Sequence, residues 1–121
     1  MSAVSTADKK FQRELHSGVT SLVLLSILGR AREPLYGYQI AKQLGDDGEG
    51  AATKVGALYP VLRSLERGGL LASRVEPSVS GPPRRYYRIT RAGRAALERW
   101  LAIWDRNRRF VDAVIGGDYH V

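Results

Sequence analysis

Thr53–Thr90, TKVGALYPVLRSLERGGLLASRVEPSVSGPPRRYYRIT, is the stretch whose reading decides the fold. Its first half repeats on a helical period: Leu58, Val61, Leu62 and Leu65 fall at i, i+3, i+4 and i+7. Thr53 is the candidate N-cap, the helix runs to about Arg67, and Gly68-Gly69 ends it. At roughly 100° per residue the opposite stripe carries Gly56, Pro60, Arg63 and Arg67. Pro60 cannot donate to the Gly56 carbonyl, so this helix is expected to be kinked or loosened in its first turns, or to begin later. The second half switches to a period of two. Leu71, Ser73 and Val75 alternate with Ala72, Arg74 and Glu76, and over Arg85–Thr90 Tyr87 and Ile89 alternate with Tyr86 and Arg88. Pro77–Pro83 between them has turn chemistry throughout, so the two strands make a hairpin.

Upstream, Ala7–His16 reads as a short helix with Ser5 or Thr6 as cap and Phe11 and Leu15 one turn apart; Gly18 is expected to break or bend it. Val19–Ala31 is apolar almost all round, as a central buried helix is, and Pro34 stops it. Tyr36–Leu44 is a second short helix with Ile40 and Leu44 on its inner stripe and Gly45 as its stop, followed by a polar, glycine-rich loop over Asp46–Gly50. Downstream, Arg91 to about Ile115 is helical again. Its stripe is Leu97, Trp100, Leu101, Trp104, Val111, Val114 and Ile115, interrupted by Asn107 and Arg108. At ~1.5 Å per residue this helix is about 40 Å long, more than so small a domain covers, so part of its face must pack outside the protomer. Asn107 lies one heptad after Trp100, where a polar residue on an apolar seam fixes register; the alternative is that the helix frays outward there.

The order helix, helix, helix, hairpin, long helix defines a mostly α fold with a small β-hairpin: a winged helix-turn-helix plus a long C-terminal dimerisation helix. Residues 1–17 are expected to form an N-terminal helix, 18–90 the DNA-binding domain, and 91–121 the dimerisation helix and tail. In such modules the third helix enters the major groove and the hairpin tip lies against phosphates or in the minor groove.

Charge supports the same reading. Of 121 residues, 19 are Lys or Arg and 12 are Asp or Glu, a formal net charge of +7. Residues 53–94 hold nine of the basic residues but only Glu66 and Glu76 among the acids, so the whole excess falls in the middle third. A polyanion footprint needs such segregation; a solvated surface does not. With no cysteine there is no disulfide framework and no thiolate, and His16 and His120 are too far apart to make a metal site. The longest apolar run, Leu22–Leu28, is too short to span a bilayer, and the N-terminus lacks the order of a signal peptide, so a cytoplasmic location is expected. No Gly-rich phosphate loop, activated nucleophile or paired carboxylate is present, which excludes an enzyme; no cofactor is expected.

The candidate DNA contacts are Lys54, Arg63 and Arg67 on the third helix and Arg84, Arg85 and Arg88 beside the hairpin tip. Gly56 and Pro60 present little side chain to block close approach. Tyr38 and Gln39 open the second helix, where a phosphate contact and simple packing are both open. Tyr59 lies at the edge of the apolar stripe, where core packing and a hydroxyl reaching a phosphate are both open. Tyr86, Tyr87 and Trp100 read first as core or interface residues.

The chain resembles the PadR family, in the subfamily with a single C-terminal helix. The resemblance rests on LVLLSIL (Leu22–Leu28), PLYGYQI (Pro34–Ile40), ALYPVLRSLERGGLL (Ala57–Leu71), GPPRRYYRIT (Gly81–Thr90) and RAGRAALERW (Arg91–Trp100), in this order and spacing. One position departs: family members usually carry Thr or Ser where this chain has Ala57. The resemblance implies that Tyr59 contacts DNA, that Pro60 is an ordinary family feature, and that the protein is a repressor. It also implies a homodimer built from the N- and C-terminal helices, residues 1–17 assisting dimerisation; on the apolar stripes read above, Phe11, Leu15, Leu97, Trp100, Leu101, Trp104, Asn107, Val111 and Val114 are the interface residues expected. It further implies a small aromatic ligand in a cleft at that interface, against Trp104 and with Trp100 nearby; Arg99 and Arg108 are the basic neighbours for an acidic or phenolate group. The partners expected are therefore a pseudo-palindromic duplex, a second copy of the chain and an aromatic effector. Two other readings stand beside this one: a DNA-binding regulator without a ligand, and a winged-helix module that contacts protein or RNA. Against the last, the outer stripe of the third helix is basic, where a protein-binding face favours apolar anchors.

Overall fold

In the computed structural model, residues 5–45 and 51–118 are described, with side chains of α3 described from residue 57. The elements are α1 (Thr6–Arg30), β1 (Leu35–Tyr36), α2 (Gly37–Leu44), α3 (Ala51–Arg67), β2 (Leu71–Glu76), β3 (Arg84–Ile89) and α4 (Arg91–Gly116). The expected mostly helical fold with its hairpin is present, with one addition. β1, only two residues long, pairs antiparallel with β3 and makes a three-stranded sheet in the order β1-β3-β2. A two-residue strand has no period from which to be read.

Three local expectations are corrected. Gly18 does not break the first helix: α1 is one 25-residue element that begins at the Ser5 cap, whose hydroxyl accepts from the Asp8 amide. A single glycine costs a helix only about 1 kcal/mol, too little to end one flanked by good helical segments on both sides. Thr53 is not the cap of α3, because the helix already includes Ala51. Nor is the later start that Pro60 allowed observed: α3 runs from Ala51 through this exposed residue to Arg67. The expected loop at Asp46–Gly50 lies outside the described residues.

The core draws on every helix. Leu24, Leu25 and Leu28 of α1 pack with Ile40 and Ala41 of α2, Leu58, Leu62 and Leu65 of α3, and Leu71, Tyr87, Ile89 and Ala96. The apolar circumference of α1 thus serves two faces, since Val19, Leu22, Val23 and Ile27 are only half-buried and turn toward α4 instead. Leu44 packs at the edge of the core, and Gly45 ends α2 in extended rather than left-handed backbone.

α3 stops in a Schellman turn. Gly69 adopts φ +81, its amide donates to the Glu66 carbonyl, and the Leu70 amide donates to the Leu65 carbonyl. The chain then returns to the same point at the start of α4. The Thr90 amide donates to the Leu70 carbonyl, and the Thr90 hydroxyl donates to the Gly69 carbonyl while accepting the Gly93 amide. α4 is pressed so closely here that a Cβ on Gly93 would lie 2.1 Å from the Leu70 carbonyl oxygen and 2.7 Å from Ile89 Cγ1.

α1 and α4 run antiparallel. Gly29 faces Leu97 near one end, and Leu15 shares a recess with Asn107 near the other. The N-terminal part of α1 and the C-terminal part of α4 therefore project together from the globular body.

Gly93→Ala has nowhere to place its methyl group except by parting α4 from the sheet. Overpacking of this kind costs typically 1–3 kcal/mol, and backbone on the receiving side puts this case at about the upper figure. Urea unfolding should show that loss, whereas Gly18→Ala, with open space around it, should hold or gain stability.

Candidate nucleic-acid interface

The β2–β3 hairpin, hereafter the wing, stands beside α3. Its register pairs Leu71 with Ile89, Ser73 with Tyr87 and Val75 with Arg85. Alternation then sends Ser73, Arg85 and Tyr87 toward α3 and Arg84, Tyr86 and Arg88 to the opposite face. On the α3 side an open recess of ≈ 520 Å³ is lined by Tyr59, Arg63, Glu66, Arg67, Arg85 and Tyr87. Four of the sequence-predicted contacts, Tyr59, Arg63, Arg67 and Arg85, are thereby brought to one place. Ala57, Pro60 and Arg63 are exposed along the same helix, so a duplex approaching α3 meets a face without bulky apolar groups.

The remaining predicted residues lie elsewhere. Arg88 borders a second recess behind the wing, with Pro34, Arg74 and Tyr86. Arg84 stacks its guanidinium 4.5 Å from the centre of the Tyr36 ring, and Tyr36 meets Tyr86 edge-on at 5.4 Å. Gln39 is exposed but its side-chain oxygen accepts the Tyr36 amide at 3.0 Å, capping α2. Tyr38 is exposed, with the Lys42 ammonium over its ring. Lys54 and Gly56 fall within α3, but their side-chain environment lies outside the described residues, as does His120.

Sequence reasoning missed Glu66 and Ser73. The Ser73 hydroxyl donates to Glu66 Oε2 at 2.7 Å and accepts from Arg85 Nη1 at 3.0 Å. The other acid of the basic segment, Glu76, pairs with Arg74 on its own strand. Beneath this group the Tyr87 ring is fully buried, and among the described residues its hydroxyl has no hydrogen-bond partner. Burial pushes the phenol above its ordinary range, against the opposing pull of Arg85.

The residues expected at a subunit interface divide in two. Leu97 and Trp100 pack against the core of their own protomer, whereas Leu101, Trp104, Val111 and Val114 are exposed, as are Phe11 and Leu15. Ile103 and Phe110, which the expected stripe omits, are half exposed on the same helix. Trp104 lines two adjoining recesses between α1 and α4, of ≈ 710 Å³ and ≈ 580 Å³, and Asn107 lies at the second. Arg108 is engaged along α4 by Asp105 and Asp112, and its hydrogen bond holds the Asp105 carboxyl below the usual range. The basic residue at the larger recess is Arg30.

Among the described residues no group of histidine or acidic side chains is placed to hold a metal, and no helix is long and apolar enough to cross a membrane. A three-helix core, a basic helix face and a wing beside it define a winged helix-turn-helix DNA-binding regulator rather than an enzyme. Comparison with known proteins places it more narrowly. Residues 24–99 match the transcriptional regulator PadR-like family, and the chain belongs to that family. It is 37% identical to Transcriptional regulator Rv3488 of Mycobacterium tuberculosis over 114 residues, 93% of this chain and 94% of that one. Its fold is similar to that of a PadR family transcriptional regulator from Eggerthella lenta, at TM-score 0.73 and 36% identity over 88% of this chain and 90% of that one. It is also similar to a PadR-like transcriptional regulator from Bacillus cereus, at TM-score 0.66 and 26% identity over 84% and 96%.

An unpartnered buried hydroxyl costs roughly 1–3 kcal/mol, so Tyr87→Phe should raise stability by about 1 kcal/mol in chemical denaturation. Because the folded phenol ionises later than the unfolded one, wild-type stability should fall above the ordinary tyrosine range, near pH 10, and Tyr87→Phe should lessen that fall. A Tyr87→Phe protein that is clearly less stable at neutral pH would mean the hydroxyl has a partner in solution.

Proposed function

We propose that this chain is a cytoplasmic, homodimeric repressor that binds a pseudo-palindromic duplex and releases it when a planar aromatic compound occupies the space beside Trp104. The observation that carries the DNA reading is the convergence of Tyr59, Arg63, Arg67 and Arg85 on one recess between α3 and the wing. α3 supplies the groove-facing residues, Arg63 foremost. Arg67, Arg85 and Lys54 neutralise phosphates, and Arg84 and Arg88 extend the basic field behind the wing.

The reading as a dimer is supported by the projecting halves of α1 and α4. Phe11 is 62% exposed, Leu101 47%, Ile103 52% and Val114 50%. So much apolar surface on two adjacent helices is more than a monomer leaves in water. A two-fold axis through this surface would set two recognition helices one helical turn of DNA apart, roughly 34 Å, or a multiple of it.

The effector reading rests on Trp104, whose indole borders both recesses. Their apolar walls suit a flat ring, with offset stacking adding about 0.5–1.5 kcal/mol beyond area burial. Arg30, rather than Arg108, is positioned to meet an acidic substituent. A guest between α1 and α4 changes their angle and hence the spacing of the recognition helices, acting through differential affinity for two states.

Sedimentation should give a dimer at micromolar concentration; a well-folded monomer there would overturn the assembly. Arg67, Arg85 and Lys54 of each protomer put six cations near phosphates, which gives an expected slope of log K against log salt of about −5. Arg63→Ala should also narrow the preference for operator over random duplex by about 1–3 kcal/mol, and retention of full preference would move the recognition face elsewhere. Planar aromatic acids and phenols should quench tryptophan fluorescence and weaken DNA binding, and Trp104→Ala should abolish both while keeping the dimer. If no such compound does either, the regulator without a ligand is the better reading.

A further inference from the structure

We infer that Glu66 is a positioning residue for DNA recognition, which holds the wing's Arg85 at a set place relative to the α3 face through the hydroxyl of Ser73. The inference rests on the reading that α3 and the wing engage one duplex together. Its starting point is an anomaly of charge: a carboxylate lies in a recess with Arg63, Arg67 and Arg85, on the face proposed to meet a polyanion. On electrostatics alone Glu66 opposes binding, so its presence there asks for another role.

The geometry supplies one. Glu66 belongs to α3, Ser73 to β2 and Arg85 to β3, and the two hydrogen bonds at Ser73 Oγ, 2.7 Å and 3.0 Å, join all three elements. Ser73 is the only link with both a donor and an acceptor to give: its proton goes to Glu66 and its lone pair receives the guanidinium. Strand register makes this possible, since Ser73 and Arg85 sit diagonally across the β2–β3 ladder on the side that faces α3. Tyr87, on the same face of β3 and fully buried, lines the same recess.

An arginine on an exposed strand near a hairpin tip has wide conformational freedom, and ordering it on binding costs side-chain entropy. Tethering Arg85 in advance removes part of that cost. It also fixes where its positive charge lies relative to Arg63. A phosphate is then met by the wing in the same register in which α3 meets its bases. On a random duplex α3 has no such register, so the tether favours the operator over other DNA.

The test uses the full chain, a duplex enriched by the wild-type protein from a random-sequence pool, and a shuffled duplex of the same composition. Affinities for both are measured over a salt series, with thermal unfolding of each variant alongside. Ser73→Ala should stay folded, with at most a small drop in unfolding temperature, and keep its salt slope, because Arg85 retains its charge, yet lose roughly 3- to 10-fold in operator-to-shuffled ratio, about what a hydrogen bond or two is worth. Ser73→Thr, which keeps the hydroxyl, should restore the ratio. Glu66→Gln, which can still accept from Ser73, should tighten binding to both duplexes while keeping their ratio; Glu66→Ala should narrow it. A full ratio in Ser73→Ala, or equal ratios in Glu66→Gln and Glu66→Ala, overturns the inference. Enrichment of no duplex by the wild-type protein would instead overturn the DNA-binding reading on which it rests.

Discussion

The Leu70 carbonyl is the point at which the functional parts of this molecule are joined. It ends the turn that closes α3, accepts the Thr90 amide at the end of β3, and lies so near Gly93 that no side chain fits between. α3, the wing and the long C-terminal helix are thus fastened within a few residues of one another. Thr90 reinforces the joint by bonding to Gly69 with the same hydroxyl that caps α4. Because the hydrogen-bonding groups here are backbone or a threonine hydroxyl one carbon removed from it, there is little slack. A change in the direction of α4 is therefore a change in the direction of α3 and of the wing.

On the other side of the sheet Tyr36 has a comparable part. It ends β1, precedes α2, meets Tyr86 and lies under the guanidinium of Arg84. α2 is therefore tied to the same central strand that carries Arg85 and Tyr87. α2, α3 and the wing are thus joined through one strand, and joints of this kind help a few charged groups keep a fixed register.

The period changes at Gly69 and Thr90 made α3, the wing and α4 legible from residues alone, because apolar spacing and turn chemistry agree there. Where they were silent, the reading strayed. Gly18 looked like punctuation, but a helix with good segments on both sides absorbs a single glycine. β1 left no trace, since two residues carry no alternation and its existence depends on β3 being within reach. The candidate site is legible in its cations and not in its wiring. Arg63, Arg67 and Arg85 announce themselves by charge, whereas Ser73 and Glu66 matter only through a register that joins residues 73, 85 and 66 across three elements. The same alternation that puts Arg85 beside α3 sends Arg84 and Arg88 to the far face, a distinction that composition alone does not make.

The pairing of α1 with α4 has a consequence in time. The densest contacts of the fold close over short connections, α2 on α3 and β2 on β3, while α1 and β1 must also wait for β3. α1 and α4 are instead separated by the whole reading module, and contacts of such span form late because a long loop must be closed before they are rewarded. As the chain leaves the ribosome, α1 emerges with its outward apolar side uncovered and waits for the last helix of the described fold to arrive. Until then one flank of α1 has nothing to pack on, and a chain halted before α4 would hold a nearly complete DNA-reading unit beside an unsatisfied hydrophobic helix. Such truncated chains are the species that chaperones and proteases would meet, since they lack the Ala96, Leu97 and Trp100 that α4 brings to the core.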